Sequence, residues 1–308
     1  MAGSAVYNYL DPKTLERIKR LDVRARLVVE GFITGQHQSP YHGFAVEFAS
    51  HREYVQGDDI KHLDWKVWSK TDRLYIKEYE EETNLKCTIL LDCSKSMRYG
   101  MNSPTPWSKY DYAATATASL AYLLQQQQDA VGMVTFHRQV ERHLPPSSHP
   151  SHLKRMLHEL ELVTPDEQTD ISSIFPELAR QIRKRGLIVL VSDLFVDLPT
   201  LAESLRQFRL RKHEVVVFHV LHADELTFPF QDNTLFRGLE TEQQLHAEPR
   251  ALRNSYLEVL QDYLVKVRKL CSTSGIDYIQ MSTDDPLDAA LAGYLTFRQR
   301  TRRKSLRR

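Results

Sequence analysis

The stretch LLDCSKSMRYG, residues 90–100, decides how the rest of the chain is interpreted. A run of apolar residues that begins at Cys87 stops abruptly at Asp92, and Ser94 and Ser96 follow at alternate positions. Because alternate residues of an extended segment face the same side, we expect one carboxylate and two hydroxyl groups to converge on a single point. The stretch therefore predicts a buried strand that ends in a cluster of oxygen ligands.

Beyond residue 85, short apolar runs alternate with amphipathic helical stretches. The expected strands are residues 87–92, 130–136, 187–193, 214–221 and 276–281, and the expected helices are residues 109–128, 151–162, 171–186, 199–212, 251–271 and 286–300. Continuous runs such as LIVLVSD and EVVVFHVL are typical of strands that are buried on both faces of a parallel sheet. This alternation predicts an α/β fold with a doubly wound, mostly parallel sheet.

The first 84 residues have a different character. A helix expected at about residues 12–30 precedes a stretch rich in glycine and aromatic residues, in which only residues 73–80 alternate like an edge strand. We expect a small N-terminal subdomain that contains β-structure and packs on the α/β core. The predicted organisation is an N-terminal helix and subdomain (1–84), an α/β domain (85–285) with a hairpin insertion (228–249), and a C-terminal helix with a basic tail (286–308).

Composition and charge exclude several classes of protein. The 308-residue chain is 42% hydrophobic and 26% charged, which is ordinary for a soluble globular protein. A formal net charge of +1 gives no general attraction to nucleic acid or to an anionic membrane. The basic tail at 298–308 could contact RNA or an acidic partner, but a solvated terminus is the favoured interpretation. The charge balance therefore does not favour nucleic-acid binding as the function.

The cysteines and the hydrophobicity profile indicate a cytoplasmic location. The three cysteines, Cys87, Cys93 and Cys271, are scattered and form no disulfide pattern. The first residues contain no apolar run that resembles a signal peptide. No segment approaches the roughly 20 apolar residues that span a bilayer. We expect a soluble cytoplasmic protein that is not attached to a membrane.

Two further segments supply oxygen atoms at the same edge of the predicted sheet. Thr169, with Asp170 beside it, precedes the helix expected at residue 171, and Asp193 ends the apolar run of another strand. Loops at the carboxyl ends of parallel strands form the usual binding crevice of such sheets. Carboxylate and hydroxyl oxygens suit a hard cation such as Mg²⁺, or Mn²⁺ in its place. The predicted metal ligands are Asp92, Ser94, Ser96, Thr169 and Asp193.

Each of these features also has a purely structural explanation. The aspartate and serines after residue 91 could cap a helix, since both residue types are good N-caps. Thr169 or Asp170 could cap the helix that follows them, and Asp193 could be a turn residue. The combination of all three features in this order on this fold favours the metal site.

Residues 85–285 resemble the von Willebrand factor type A domain. The metal-ion-dependent adhesion site of that family combines a DxSxS loop, a threonine in a later loop and an aspartate at a strand end. Carried over, the resemblance assigns the same five ligands: Asp92, Ser94, Ser96, Thr169 and Asp193. It implies that the two aspartates often act through water and that an open coordination position accepts a carboxylate from a partner.

The upstream block FAVEFASHREYVQGDDIKHLDWKVWSKTDRLYIKEYEEE, residues 44–82, is similar to the signature of the bacterial family called domain of unknown function fifty-eight. Members of that family are commonly encoded beside AAA+ ATPases of the MoxR type, which implies such an ATPase as a partner. Charged and aromatic residues in the block could form a partner surface or a structural ion-pair network around buried tryptophans. The candidate surface residues are Arg52, Tyr54, Asp58, Asp59, Asp64 and Trp65.

Two functions compete at this stage. The leading hypothesis is a non-enzymatic, adaptor- or chaperone-like protein whose metal holds an acidic residue of a client, while the MoxR-type ATPase remodels that client. The alternative is a Mg²⁺-dependent phosphohydrolase with Asp92 as nucleophile. Haloacid-dehalogenase-like enzymes favour a second acid two residues later, where this chain has Ser94. Neither GxGxxG nor GxxxxGK[ST] occurs, so we expect no nucleotide binding by the chain itself.

Overall fold

The computed structural model describes residues 20–37, 51–53, 75–77, 85–101, 107–240 and 243–287. The strands within these ranges are β1 (His51–Glu53), β2 (Tyr75–Lys77), β3 (Lys86–Asp92), β4 (Ala130–Phe136), β5 (Val140–Ser147), β6 (Leu187–Ser192), β7 (Glu214–Leu221), β8 (Thr234–Arg237), β9 (Gln244–Ala247) and β10 (Asp277–Ser282). The helices are α1 (Leu21–His37), α2 (Lys109–Gln126), α3 (Pro150–Leu162), α4 (Ile171–Gln181), α5 (Leu198–Leu210), α6 (Ala223–Thr227) and α7 (Pro249–Thr273), with a 3₁₀ turn at Lys95–Arg98.

Six strands form the central sheet, in the order β10-β7-β6-β3-β4-β5. Every neighbouring pair is parallel except β4 and β5, which are antiparallel. The innermost strands are buried except at Lys86, the first residue of β3, because helices cover both faces of the sheet. Helices α1, α2 and α3 contribute to the apolar cluster on one face, and α4, α5 and α7 contribute to the cluster on the other. The predicted α/β fold with a doubly wound, mostly parallel sheet is confirmed.

Helix α2 begins close to the carboxyl edge of the sheet. Ser108 is its N-cap, and the Ser108 side chain accepts a hydrogen bond from the backbone N–H of Asp111 at 3.0 Å. Small residues such as Ala113 and Ala116 are buried along the helix, which allows it to lie close against the strands. Lys109, the first residue of α2, is consequently also buried.

Strand β5 is not among the strands expected from the sequence, which assigned no element to residues 140–147. Two prolines, Pro145 and Pro146, interrupt the strand pattern there, and proline is tolerated in a sheet only at an edge or a bulge. In the structure β5 is the edge strand, and its register with β4 shifts near Gly132. A Cβ atom at Gly132 would lie only 2.6 Å from the carbonyl oxygen of Leu144, so glycine permits the close approach of the two strands.

The chain divides into two compact units, one of residues 36–84 and one that combines residues 1–35 with 85–308. In the first unit, β1 and β2 pair antiparallel, with Arg52 opposite Ile76. In the second unit, Ala25, Val28 and Val29 of α1 are fully buried in the core. The sequence groups this helix with the first 84 residues, whereas its apolar face packs into the α/β core. The exact domain boundaries stay a prediction.

An antiparallel hairpin of β8 and β9 precedes the long helix α7 and lies inside the stretch where an insertion was expected. The ring of Phe228 stacks against that of Phe236, with centroids 5.7 Å apart, and lies 4.6 Å from that of Tyr256 in α7. These contacts fix the base of the hairpin on α7.

Within the described ranges, no helix is both long and apolar enough to cross a membrane.

Candidate metal site

The loop after β3 folds back on its own aspartate. Asp92 is fully buried, and the backbone N–H of Ser94 donates to Asp92 Oδ1 at 3.0 Å. Ser94 precedes the 3₁₀ turn, but its hydroxyl makes no capping hydrogen bond to the described backbone of that turn. It instead lies 3.0 Å from the hydroxyl of Ser96. The helix-cap explanation therefore does not account for these serines.

A second loop is tied to the first by backbone hydrogen bonds. The N–H of Lys95 donates to the carbonyl of Glu167 at 2.8 Å, and the N–H of Asp166 donates to the carbonyl of Cys93 at 3.0 Å. This pairing brings Thr169 Oγ1 to 3.4 and 3.5 Å from the two carboxylate oxygens of Asp92. Thr169 therefore belongs to the site.

The neighbouring Asp170 has a different task. Its Oδ1 accepts hydrogen bonds from the backbone N–H groups of Ser172 at 3.1 Å and Ser173 at 3.3 Å, which makes it the N-cap of α4. The hydroxyl of Ser172, which donates to Asp170 Oδ1 at 2.6 Å, is the main cause that lowers the pKa of Asp170, and with the other hydrogen bonds it outweighs partial burial. The two adjacent residues thus divide the roles that the sequence left open: Thr169 faces Asp92 and Asp170 caps the helix.

The third contribution comes from the end of β6. Asp193 is 2% exposed, and its Oδ1 accepts a hydrogen bond from the N–H of Phe195 at 3.3 Å, as a turn residue would. The hydroxyl of Ser96 also faces the Asp193 carboxylate and helps to lower its pKa. Leu194 adopts a left-handed conformation with φ of +53°, which turns the chain sharply away from the strand. Asp193 therefore both shapes the turn and faces the DxSxS loop.

Sequence reasoning missed three residues that complete this arrangement. Ser192 Oγ donates to Asp92 Oδ2 at 2.6 Å, and the Lys109 ammonium donates to Asp193 Oδ2 at 2.6 Å and to Glu225 Oε1 at 2.8 Å. Ser192 could have been found from its place beside Asp193. Lys109 and Glu225 carry no comparable signal, because they come from the starts of two separate helices.

Burial and the neighbouring charges set the ionisation of the site. Burial, together with the nearby Asp193 carboxylate, raises the pKa of Asp92 to about 7. Burial acts in the same direction on Asp193, but the Lys109 ammonium outweighs it and lowers the pKa of Asp193. Burial disfavours the Lys109 cation, yet the Asp193 and Glu225 carboxylates together raise the pKa of Lys109. Asp193 therefore has a cationic partner, whereas Asp92 is surrounded by hydroxyl groups.

The donor set fits a hard divalent cation. All five predicted ligands offer oxygen, and Asp92, Ser94, Ser96, Thr169 and Asp193 lie close together at the carboxyl edge. The described residues contain no group of three or more histidine, cysteine, aspartate or glutamate side chains placed to hold a metal. Binding would therefore depend on the hydroxyl oxygens as much as on the carboxylates. Because Lys109 already pairs with Asp193, that aspartate is suited to hold a metal-bound water.

The candidate partner surface of the upstream block falls almost entirely outside the described residues. Arg52 is in β1, opposite Ile76. Tyr54, Asp58, Asp59, Asp64 and Trp65 fall outside the described residues. That surface stays a prediction.

A doubly wound sheet that carries a DxSxS loop, a threonine and an aspartate at its carboxyl edge defines a protein of the von Willebrand factor type A fold. The model of the family described as "Protein of unknown function DUF58" matches residues 50–263. The chain belongs to this family, which confirms the resemblance inferred from the signature block and the fold.

Curated relatives extend over nearly the whole chain. Uncharacterised proteins of Mycobacterium bovis and Mycobacterium tuberculosis are 22% identical over 295 residues, covering 94% of this chain and 91% of theirs. Their names assign no activity.

Solved structures with a similar architecture include BatB from Bacteroides thetaiotaomicron, at 17% identity and a TM-score of 0.47, over 69% of this chain and 97% of that one. An aerotolerance-related membrane protein from Bacteroides fragilis has 19% identity and a TM-score of 0.47, over 68% of this chain and 97% of that one. The assignment of the fold rests on the strand order of this chain itself.

Proposed function

We propose that this protein is a non-enzymatic interaction protein, which holds an acidic residue of a partner or client through Mg²⁺ or Mn²⁺ at the carboxyl edge of its sheet. The observation that carries the proposal is the convergence of three loops on Asp92: the DxSxS loop, the Thr169 loop and the end of β6. A bound divalent ion would supply an open coordination position for a carboxylate.

The surroundings of Asp92 argue against the phosphohydrolase alternative. A nucleophilic carboxylate must reach the phosphorus atom of its substrate, but Asp92 is 0% exposed. Its Oδ2 accepts from Ser192 and its Oδ1 accepts from the N–H of Ser94. Two residues further on stands Ser94 rather than a second acid. The arrangement favours a site that binds a ligand over one that attacks it.

The family resemblance supports the identity of one partner. Because relatives are commonly encoded beside MoxR-type AAA+ ATPases, we propose that such an ATPase works with this chain in the cytoplasm. The ATPase would supply nucleotide hydrolysis, and this chain would select the client through its metal site. The clients are proteins with an accessible acidic side chain.

The first experiment is thermal unfolding of the wild type and of Asp92→Ala, in EDTA and in millimolar Mg²⁺ or Mn²⁺. A ligand that binds only the folded state stabilises it by about 2.7 kcal/mol at a concentration one hundred times its dissociation constant. We expect a metal-dependent rise in the unfolding temperature of the wild type and none in Asp92→Ala. No rise in the wild type would contradict the metal site.

Asp197→Ala is a matched control. Asp197 lies four residues after Asp193 and caps α5, where its side chain accepts from the N–H of Thr200 at 3.0 Å. This variant loses a cap but no site residue, so its unfolding temperature should still rise with metal.

Partner binding is tested by capturing the purified MoxR-type ATPase encoded nearby on immobilised wild-type chain or Asp92→Ala, with Mg²⁺ or with EDTA. Metal-mediated contact predicts capture by the wild type in Mg²⁺ only. Equal capture by Asp92→Ala would show that the ATPase binds elsewhere.

A further inference from the structure

Glu240, in the loop after β8, places its carboxylate beside Ser96 of the DxSxS loop. Glu240 follows β8 by three residues and is half-buried. The hydroxyl group and the backbone N–H of Ser96 face the Glu240 carboxylate, and the charges of Asp193 and Lys109 act on it. Nothing in the sequence motif pointed to this residue, because it comes from the insertion rather than from a strand end.

The position of Glu240 is fixed from both sides. On the site side, the donor is Gln168, the residue before the predicted ligand Thr169. Its Nε2 donates to the backbone carbonyl of Glu240. On the other side, the Arg253 guanidinium donates to the carbonyls of Phe228 at 3.0 Å and Phe230 at 2.9 Å, which holds the base of the hairpin on α7. The contact of Glu240 with the site therefore follows from the anchoring of the segment that leads into and forms β8.

The charge of Glu240 is poorly compensated by the protein atoms around it. Its Oε1 is buried and has no hydrogen-bond partner among the described residues. The nearby carboxylate of Asp193 repels it, and the ammonium of Lys109 already pairs with Asp193 and Glu225. A buried carboxylate oxygen without a partner is costly. A divalent cation held by the hydroxyls of Ser94 and Ser96 would satisfy it.

We propose that Glu240 is an internal carboxylate ligand of this site, and that it takes the place at the metal which an acidic side chain of a partner must occupy. This inference rests on the proposed function. A partner can bind only by displacing Glu240, so this residue sets the threshold for binding and selects partners whose acidic group competes with a tethered carboxylate. The tether gives Glu240 a high effective concentration at the site, which suppresses weak, non-specific carboxylates.

The experiment uses Mn²⁺ and water-proton relaxation on the full chain, because the relaxivity of protein-bound Mn²⁺ reports how many exchangeable water molecules it holds. The variants are Glu240→Gln, which keeps the size and hydrogen-bonding capacity, and Asp232→Asn, which removes an exposed carboxylate elsewhere on the insertion. In Glu240→Gln we expect Mn²⁺ affinity to fall about tenfold and the relaxivity of the bound ion to rise, as water takes the vacated position. Asp232→Asn should match the wild type.

Sodium acetate then serves as a free carboxylate probe. In Glu240→Gln, excess acetate should lower the relaxivity of bound Mn²⁺ as it replaces the water, whereas in the wild type the relaxivity should not change. Glu240→Asp, whose side chain is one methylene shorter, should give values between the two. Circular dichroism of each variant verifies that it is folded.

Two results would overturn the inference, and they are distinguishable from failure of the proposed function. If Glu240→Gln bound Mn²⁺ with wild-type affinity and relaxivity, Glu240 would be only a hydrogen-bond partner of Ser96. If acetate lowered the relaxivity of the wild type and Glu240→Gln equally, Glu240 would not occupy the open position. If the wild type bound no Mn²⁺ at all, the metal site itself, and with it the proposed function, would fall.

Discussion

At the amino edge of the central sheet, the buried carboxylate of Asp129 lies just before β4 and accepts a hydrogen bond from the backbone N–H of Leu85 at 3.1 Å. At the carboxyl edge, the buried carboxylates of Asp92 and Asp193 lie close enough to raise the pKa of Asp92, among side-chain hydroxyl groups. The Asp129 carboxylate joins the start of β4 to the backbone just before β3. Asp92 and Asp193 are instead two like charges placed close together, which is unfavourable unless another group neutralises them. The contrast separates a structural carboxylate from the candidate metal ligands, and four predictions test it.

The largest effect is expected for Lys109→Met. Removing the ammonium leaves Asp193 and Glu225 in a buried place without their cation, which typically costs about 3–5 kcal/mol. We expect the free energy of unfolding in EDTA to fall by about that amount, and Mg²⁺ to restore part of it by neutralising Asp193. Chemical denaturation with and without Mg²⁺ measures both.

The control for this variant is Lys86→Met at the amino edge, where the lysine begins β3. It should unfold much as the wild type does. If Lys109→Met lowered the free energy of unfolding no more than Lys86→Met does, the buried ion pairs of Lys109 would contribute little to stability.

The second prediction concerns Asp129→Ala at the amino edge. It removes the acceptor for the N–H of Leu85 and should lower the free energy of unfolding by about 2 kcal/mol. The loss should be the same in EDTA and in Mg²⁺, because this carboxylate has no part in the metal site. A metal-dependent loss would show that the two edges are coupled.

The third prediction compares two adjacent residues of one loop. Asp170→Ala removes the N-cap of α4 and should cost about 1 kcal/mol in both EDTA and Mg²⁺. Thr169→Ala should instead lower Mn²⁺ affinity, because its hydroxyl faces Asp92. Chemical denaturation of the two variants measures the loss of stability, and Mn²⁺ titration measures the loss of affinity. A larger effect on Mn²⁺ affinity in Asp170→Ala than in Thr169→Ala would contradict the assigned roles.

The smallest effect on stability is expected for Phe195→Ser. Phe195 is 74% exposed two residues after Asp193, where an acidic partner would approach. Its loop is held independently by Tyr263, whose hydroxyl donates to the carbonyl of Leu194 at 2.6 Å. We expect a stability change within about 0.5 kcal/mol and weaker capture of the MoxR-type ATPase.

The matched control is Leu210→Ser. Leu210 is 65% exposed at the end of α5, which leads to the amino edge of the sheet. Capture of the ATPase should be unaffected in this variant. Equal losses in both variants would indicate a general effect of surface hydrophobicity rather than a contact beside the site.

Much of the fold could be predicted from local patterns. The buried strands β3, β6 and β7 are continuous apolar runs, and their order along the chain with helices between them fixes a parallel sheet. Strand β5 could not be predicted, because its two prolines imitate a loop and only its place at the edge of the sheet makes them acceptable. The sequence grouped α1 with an N-terminal subdomain packed on the α/β core, and only the structure shows that α1 contributes directly to that core, since its apolar face is compatible with any neighbour.

The sequence by itself determined which residues could serve as oxygen ligands, because strands of a parallel sheet end at one edge, Asp92 and Asp193 stand at such ends, and Thr169 precedes a helix that lies between them along the chain in the α/β pattern. Only the tertiary structure decided how these residues divide their tasks and what compensates their charge. Lys109, Glu225 and Glu240 reach the site from the starts of two helices and from the loop after β8, and Lys109 lies 84 residues from the Asp193 that it neutralises. Such contacts depend on how helices and an insertion pack on the sheet. No local spacing encodes them, because packing joins residues whose separation along the chain is arbitrary.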